Sequence, residues 1–205
     1  MQSKICGVKD SETLNFLLNY RYPPKFIGFI CNYSKSKRFV DINSLKELLK
    51  VDNKKSQFVS VLVKPNELIL NEMQKLNFEY FQIYDCTPEE IKLIKKKYNK
   101  KIISAITVET KEDILKYKKY ENCSDIILFD SKGYEKSLEF DHTLMENVPA
   151  SVNSMIAGNI KHNDNLDKFM KICNYIDISG GVETSGLKDI SKVKIFLNNV
   201  KKLND

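Results

Sequence analysis

Short runs of β-branched and aromatic residues alternate with lysine- and glutamate-rich stretches along the chain, and this alternation is the strongest constraint on its fold. Strands separated by helices are typical of βα units, whose strands run parallel. Eight runs are predicted as strands, over residues 2–6, 26–30, 58–63, 80–84, 101–106, 125–130, 151–157 and 175–179. Eight units of about 25 residues each predict an α/β fold, a (β/α)8 TIM barrel at the compact end of its size range. A doubly wound open sheet is the alternative.

Composition favours one domain. The chain has 205 residues, 42% of them hydrophobic, with only 7 glycines and 5 prolines. The apolar residues are enough for one large core, and the glycines and prolines are too few for a linker. We therefore expect a single domain over residues 1–205. Helix starts are predicted at Asn66, at a capping box from Thr87 to Glu90 and more weakly at Thr110. The last helix is predicted over about residues 188–201.

Charge and cysteine content limit the partners and the compartment. The net charge is +6, but the lysines fall in helical stretches such as 92–101 and 111–119, which we interpret as solvated helix faces. We therefore expect no nucleic-acid partner. With no membrane-spanning run and no signal peptide, no membrane association is expected and the cytoplasm is predicted. Five cysteines without a Cys-x-x-Cys spacing suggest neither disulfides nor a zinc site.

The ends of the predicted strands are where a barrel carries its active site. Side chains alternate along a strand, so Lys4 and Cys6 share a face and, with Ile5 against the helices, point into the barrel. By the same alternation Asp177 and Ser179 point inward from the eighth strand. The first and eighth strands are neighbours in a closed barrel. Lys4 and Asp177 are therefore expected to pair one layer below Cys6, since neither charge is easily buried alone.

An acid and a base are predicted on opposite sides of the barrel mouth. Asp130 ends the apolar sixth strand, across the mouth from Cys6. One group that holds a proton and one that can take it suit an isomerase that moves a hydrogen without a cofactor. No metal or cofactor motif is evident, so none is expected. The competing interpretation is a buried structural cysteine and a helix-capping aspartate.

Small residues follow the last two strands. They are Gly158 and Asn159 after the seventh strand and Gly180 and Gly181 after the eighth. In barrels these two loops commonly bind phosphate, because glycines allow backbone N–H groups to approach an anion. Their position predicts a phosphate site there, although a Gly-Gly pair alone more often marks a turn.

Several segments, in order along the chain, resemble the motifs of phosphoribosylanthranilate isomerases. They are Lys4-Ile5-Cys6-Gly7-Val8, Gly28-Phe29-Ile30, Ser36-Lys37-Arg38-Phe39-Val40, Phe129-Asp130-Ser131-Lys132 and Asp177-Ile178-Ser179-Gly180-Gly181-Val182-Glu183. The resemblance implies an Amadori rearrangement in tryptophan biosynthesis. In that reaction N-(5-phosphoribosyl)anthranilate becomes 1-(2-carboxyphenylamino)-1-deoxyribulose 5-phosphate.

The resemblance also implies roles for single residues. Asp130 becomes the general acid that protonates the furanose ring oxygen, and Cys6 the general base that removes the C2′ proton. Such chemistry needs an acid with a raised pKa and a base with a lowered one, and Lys4 is expected to help Cys6 ionise. Arg38 is expected to receive the anthranilate carboxylate. The remaining substrate-binding residues are Gly158, Asn159, Asp177, Ser179, Gly180 and Gly181.

Three segments depart from the family pattern. Residues 133–139 stand where a glycine-rich loop is usual, Gln82-Ile83-Tyr84-Asp85 where Gln-Leu-His-Gly is common, and Ala157-Gly158-Asn159 where Ser-Gly-Gly is found. Phosphate is therefore expected mainly in the loops after the seventh and eighth strands.

Other functions remain open from the sequence. Another phosphosugar isomerase or synthase barrel is one alternative. A metal-dependent epimerase, however, requires histidine ligands, and the only histidines of the chain are His142 and His162. A catalytically decayed barrel that binds phosphoribosyl ligands is the other. The sequence leaves a monomer or a homodimer equally open.

Overall fold

A closed eight-stranded parallel barrel forms the centre of the computed structural model, which describes residues 1–131 and 140–205. Within these ranges each strand pairs with the next along the chain, and the eighth pairs with the first. The strands are β1 (Gln2–Cys6), β2 (Phe26–Ile30), β3 (Gln57–Val63), β4 (Tyr80–Tyr84), β5 (Lys101–Val108), β6 (Ile126–Ser131), β7 (Ser154–Ile156) and β8 (Tyr175–Ile178). The barrel prediction is confirmed, and the open-sheet alternative is wrong.

The helical layer is uneven around the barrel. Its α-helices are α1 (Ser11–Asn19), α2 (Ile42–Leu48), α3 (Glu67–Gln74), α4 (Pro88–Tyr98), α5 (Lys111–Leu115), α6 (Tyr117–Tyr120) and α7 (Ile190–Lys202). In the described part of the chain, the connections after β6 and β7 carry short 3-10 helices, His142–Asn147 and Asp167–Phe169. Another 3-10 turn, Gly180–Val182, follows β8 and leads to a small hairpin of β9 (Glu183–Thr184) and β10 (Leu187–Lys188).

Side-chain caps fix several helix starts where the sequence predicts them. Asn66 accepts a hydrogen bond from the backbone N–H of Ile69 at the start of α3. Thr87 and Glu90 form the reciprocal capping box of α4, with Pro88 in its first turn. The last helix begins at Ile190, two residues later than predicted, because Asp189 caps it.

The barrel interior is closed at its amino-terminal end and open at the other. Strand side chains alternate between a layer packed on the helices and a layer inside the barrel. Near the amino-terminal ends, the Phe26 ring packs against Tyr80 and Tyr175, with centroids 5.1 and 5.3 Å away. These rings fill the amino-terminal end of the barrel, whereas a cavity lies at the carboxyl ends of the strands.

Six non-glycine residues of the described ranges take left-handed backbone conformations, and two of them are in the loops that follow β4 and β7. Asp85, after β4, has φ 58°, and Asn159, after β7, has φ 47°. Both positions are ones where the family pattern has glycine. Aspartate and asparagine tolerate this conformation better than most residues, so these departures keep the loop geometry. Among the helices of the described ranges, none has the length and apolarity needed to cross a bilayer.

Candidate active site

A cavity of about 550 Å³ lies at the carboxyl ends of the strands, within the size range of small-ligand sites. All nine residues predicted for the site line this cavity: Cys6, Arg38, Asp130, Gly158, Asn159, Asp177, Ser179, Gly180 and Gly181. Eight of the nine lie on, or directly follow, the first, sixth, seventh and eighth strands. The exception is Arg38, which lies in the connection between β2 and α2.

The seam between β1 and β8 holds a buried ion pair. Lys4 and Asp177 are register partners, and the Lys4 Nζ donates to Asp177 Oδ2 over 2.7 Å. Their side chains are 0% and 6% exposed, as the strand alternation predicted. Burial disfavours the ammonium form, but the charges of Asp177 and Cys6 outweigh it and raise the pKa of Lys4. Asp177 Oδ1 is buried and has no hydrogen-bond partner among the described residues.

Cys6 lies directly above this pair and is itself buried. Burial raises the pKa of its thiol, the charge of Lys4 lowers it, and Asp177 raises it again. Lys188 also lowers it. The net direction is upward, so the expectation of a lowered thiol pKa is wrong for the unliganded protein. The charge of Lys4 lowers the thiol pKa, as expected. The free energy of desolvating the thiolate is nevertheless larger than the stabilisation from one ammonium that is already paired with Asp177.

Gly28 lets Cys6 and Lys4 approach the same point of the barrel wall. A Cβ at residue 28 would stand 3.1 Å from Cys6 Sγ and 3.2 Å from Lys4 Nζ. Both contacts are tighter than ordinary van der Waals packing, so any larger residue must displace the thiol or the ammonium.

Asp130 lies across the mouth, where the side chain that hydrogen-bonds it is a neutral hydroxyl. The Tyr84 hydroxyl donates to Asp130 Oδ2 over 2.8 Å, and the Gln82 side-chain amide donates to the Tyr84 oxygen over 3.1 Å. Burial raises the pKa of Asp130 to about 6, and the Tyr84 hydrogen bond opposes that rise. A carboxyl that titrates near neutrality can serve as a general acid.

Arg38 reaches into the cavity and is held by Glu183. Its Nε and Nη2 donate to the two carboxylate oxygens of Glu183 over 2.6 and 2.8 Å. Lys188 Nζ donates to the same carboxylate over 2.7 Å. Burial alone would raise the pKa of Glu183, but the bonds from Arg38 and Lys188 hold it below its ordinary value. Gly7, at φ 76°, leaves room for the Arg38 side chain, which a Cβ there would overlap.

The loops after β7 and β8 converge on the cavity. Gly158 has φ 91°, a conformation that favours glycine. A Cβ on Gly181 would overlap the Ile160 carbonyl, so this glycine is needed where the two loops pack. Gly180 is not in the left-handed region, and a Cβ there would meet only Arg38 Nη2, at 3.2 Å. Ser179 donates its hydroxyl to the Cys6 carbonyl over 3.0 Å.

The two histidines occupy different surroundings. His162 lines the cavity, with Nδ1 3.1 Å from the Gly181 carbonyl, whereas His142 packs between Phe140 and Phe169. His162 is therefore at the barrel mouth, where the sequence analysis had not placed it. In the ranges that the structure describes, no three His, Cys, Asp or Glu side chains are arranged to hold a metal ion. The departure at 133–139 lies outside the described residues.

Three further residues shape the site, and the sequence analysis gave them no role. Glu183 and Lys188 pair with Arg38 or with each other, and Tyr84 contacts Asp130. Glu183 closes the last motif, and Tyr84 shares a strand face with Gln82. Strand alternation applied to β4 could have placed Tyr84 inside the barrel. Lys188 gave no such signal, because it was predicted to begin the last helix.

This chain is similar to one known protein family along most of its length. The family model described as N-(5'phosphoribosyl)anthranilate (PRA) isomerase matches residues 3–199. An N-(5'-phosphoribosyl)anthranilate isomerase of Clostridium kluyveri is 31% identical over 205 residues, covering 98% of each chain. One from Rhizobium johnstonii is 30% identical over 213 residues, covering 98% of this chain and 94% of its own.

Solved structures show the same fold. Phosphoribosyl anthranilate isomerase from Thermotoga maritima superposes with a TM-score of 0.84 at 24% identity, covering 98% of this chain and 99% of its own. A phosphoribosyl anthranilate isomerase in complex with reduced 1-(o-carboxyphenylamino)-1-deoxyribulose 5-phosphate superposes with a TM-score of 0.85 at 22% identity, with the same coverage. Together with the match over residues 3–199, these findings mean that the chain belongs to the phosphoribosylanthranilate isomerase family.

Proposed function

We propose that this protein converts N-(5'-phosphoribosyl)anthranilate into 1-(2-carboxyphenylamino)-1-deoxyribulose 5-phosphate, with Asp130 as general acid and Cys6 as general base. One observation carries the assignment of roles. A carboxyl whose pKa is raised to about 6 and a buried thiol next to a lysine line the same cavity of about 550 Å³. The reaction is an internal redox isomerisation that needs only proton transfers, so these two groups suffice without a cofactor.

Ring opening is the acid-catalysed step. Asp130 gives its proton to the furanose ring oxygen while the bond from that oxygen to C1′ breaks. The anthranilate nitrogen supplies its lone pair to C1′, so the product of this step is a protonated Schiff base and Asp130 is left as a carboxylate. A carboxyl with a pKa of about 6 is protonated often enough near neutrality to do this.

Proton abstraction is the base-catalysed step. The Cys6 thiolate removes the C2′ proton, and the C2′–H electron pair forms the C1′–C2′ double bond and neutralises the nitrogen. The resulting enolamine tautomerises to the ketone. The ammonium of Lys4 favours the thiolate, and Asp177 holds that ammonium in place. Because the thiol pKa is raised, only a minor fraction of the enzyme carries the thiolate and the protonated Asp130 together.

Substrate binding is divided among three parts of the cavity. Glu183 uses two of the five N–H donors of Arg38, which leaves three for the anthranilate carboxylate. Gly158, Asn159, Gly180 and Gly181 supply backbone around the phosphate. The proposed contacts of the ribose hydroxyls are Ser179 and Asp177 Oδ1, which both line the cavity.

Two broader assignments accompany this function. Residues 1–205 are proposed to be one domain, since one barrel organises the described ranges. A reducing compartment, the cytoplasm, is proposed because Cys6, Cys31, Cys86, Cys123 and Cys173 are all free thiols.

A fluorescence assay that follows the loss of phosphoribosylanthranilate tests the proposal. Purified parent protein should turn the substrate over, and Cys6→Ser and Asp130→Asn should each abolish most of that turnover. Binding of a product analogue without any turnover by the parent would instead indicate a decayed, ligand-binding barrel.

A further inference from the structure

Three polar side chains, Gln82, Tyr84 and Asp130, form a hydrogen-bonded chain. The mechanism above uses only Asp130. Gln82 and Tyr84 are on the inner face of β4, 0% and 7% exposed. The Gln82 Nε2 is 3.1 Å from the Tyr84 oxygen, which is 2.8 Å from Asp130 Oδ2. Each of these two bonds needs one donor and one acceptor, which gives the chain a direction; the Gln82 Oε1 is buried without a partner among the described residues.

The direction of the chain follows from the donor inventory. An amide nitrogen can only donate, so the Tyr84 oxygen accepts from Gln82 and the Tyr84 proton is directed at Asp130. Burial and the charge of Asp130 raise the pKa of Tyr84 well above its ordinary value. The hydroxyl therefore remains a donor over the whole working pH range.

The hydrogen bond from Tyr84 to Oδ2 makes the two oxygens of the Asp130 carboxyl inequivalent. When Asp130 is protonated, the oxygen that accepts from Tyr84 is its carbonyl oxygen, and the proton resides on Oδ1. Other groups also face Asp130: Asp177 from β8, Lys4 from β1 and the backbone N–H of Ser131. Among the influences that favour the ionised form, the Tyr84 hydrogen bond is the strongest, ahead of Lys4 and Ser131.

We infer that Tyr84 is a positioning residue for the isomerisation: its hydroxyl, oriented by the Gln82 amide, occupies Asp130 Oδ2 so that the acidic proton is carried on Oδ1 and delivered from that oxygen. The inference rests on the proposed role of Asp130 as the acid. It adds two side chains of β4 to the acid side of the site, and it explains why a tyrosine is compatible with the position where the family pattern has histidine.

The first test uses the unliganded protein and needs no turnover. In protein labelled with ¹³C at aspartate carboxyls, the Asp130 signal is assigned by its loss in Asp130→Asn and titrated. Tyr84→Phe removes the donor and should move the Asp130 titration upward by roughly one pH unit. The matched control is Tyr80→Phe, which removes a hydroxyl from the amino-terminal end of the same strand and should leave the titration unchanged. An Asp130 titration identical in Tyr84→Phe and the parent would overturn the inference.

The second test measures where the proton is delivered. At about pH 5 Asp130 is mostly protonated in both proteins, so a difference in kcat/KM there reflects placement of the proton rather than its presence. Tyr84→Phe should lower kcat/KM about two- to tenfold, the range of a single hydrogen bond. Tyr80→Phe should match the parent. Equal kcat/KM for Tyr84→Phe and the parent at this pH would also overturn the positioning role.

A third variant keeps the inference testable if Tyr84→Phe folds poorly. Gln82→Met retains the Tyr84 hydroxyl but removes the amide that orients it, and it should shift the Asp130 titration in the same direction by a smaller amount. Failure of the proposed function has a different signature. If Asp130 is not the acid, Asp130→Asn would retain activity, and if the barrel is decayed the parent itself would show none; in both cases the carboxyl titration would still respond to Tyr84→Phe.

Discussion

The proposed base and the proposed acid lie on two sides of the cavity mouth that have opposite kinds of surroundings. Cys6 sits on a buried ion pair, Lys4 with Asp177, whereas Asp130 is contacted by the neutral hydroxyl of Tyr84. Burial raises the pKa of both groups. For an acid this shift is useful, so neutral neighbours are sufficient. A base must lose its proton, so its side of the barrel needs a full positive charge close by.

The comparison also concerns stability, because the base side contains buried charges and the acid side contains buried dipoles. Substituting one member of a buried ion pair leaves the other charge buried without a partner. Substituting one member of a neutral hydrogen-bonded chain leaves an unpaired polar group, whose desolvation penalty is smaller. The base side should therefore be the more fragile one.

The largest effect is expected for Lys4→Met, which leaves Asp177 buried without its partner. It should lower the free energy of unfolding by about 3 to 5 kcal/mol, measured by urea denaturation. Gln82→Met, the matched change on the acid side, should cost about 1 kcal/mol or less. In the double variant Lys4→Met/Asp177→Leu most of the stability should return while activity stays low. Equal losses for Lys4→Met and Gln82→Met would remove the contrast between the two sides.

Removal of the acid or the base is the next largest effect. Cys6→Ser and Asp130→Asn should each lower kcat by ~10²-fold or more without unfolding the barrel. Their effects on stability should differ. The raised pKa of Asp130 means that its contribution to stability is present below its ordinary value near 3.8 and is lost as pH rises through about 6. Asp130→Asn should therefore unfold at a higher urea concentration than the parent at pH 7. Near-normal turnover in either variant would contradict the role assigned to that residue.

Arg38 belongs to neither side and tests whether binding can be separated from proton transfer. Arg38→Met should weaken substrate binding by ~1.5 to 3 kcal/mol, roughly ten- to 150-fold, because a charge-assisted hydrogen bond to the anthranilate carboxylate is lost. The apparent affinity for a product analogue, measured by calorimetry, checks this. Glu183→Gln is the control, since it keeps Arg38 but weakens its anchor. An unchanged affinity in Arg38→Met would mean that the guanidinium serves only the contact with Glu183.

The smallest effect is a break in the pH profile of kcat/KM near pH 6. The proposed mechanism needs the Cys6 thiolate and protonated Asp130 in the same molecule. Between about pH 6 and the pKa of Cys6, each unit of pH makes ten times more thiolate and ten times less protonated acid, so kcat/KM is flat. Below about pH 6 only the thiolate fraction changes, and kcat/KM should fall about tenfold per unit.

The Asp130→Asn protein separates this break from other titrations. Its residual kcat/KM should follow the thiolate alone and rise with pH through 6 without a break. The substrate phosphate also titrates near 6. If the same break persisted in Asp130→Asn, it would belong to the substrate or to another group.

The sequence predicted much of the base side because strand alternation is a local rule. The positions of Lys4, Cys6 and Asp177 within their strands determine which way each side chain points, and barrel closure then pairs Lys4 with Asp177. The strand bounds also agree closely, apart from β7, which is confined to Ser154–Ile156. Parity and closure were enough to predict a contact between residues 173 positions apart.

Contacts made by loops and by long side chains could not be predicted in this way. Arg38 meets Glu183 across 145 positions, and neither lies within one of the eight barrel strands, so no alternation rule places them together. The direction of the Cys6 pKa depends on how completely the barrel excludes water, which a list of neighbours along the chain does not reveal. The 3-10 helices after β6 and β7 were likewise missed, because their short segments carry no helical period.

The ion pair across the β1–β8 seam has a consequence for synthesis on the ribosome. Lys4 emerges early and its partner follows 173 residues later, which at ordinary elongation rates is a wait of roughly 9 to 35 s. During that time any partial barrel that buried the lysine would do so without a counter-charge. The cost of burying an unpaired lysine therefore disfavours closure around β1 until the last strand is available to complete the ring.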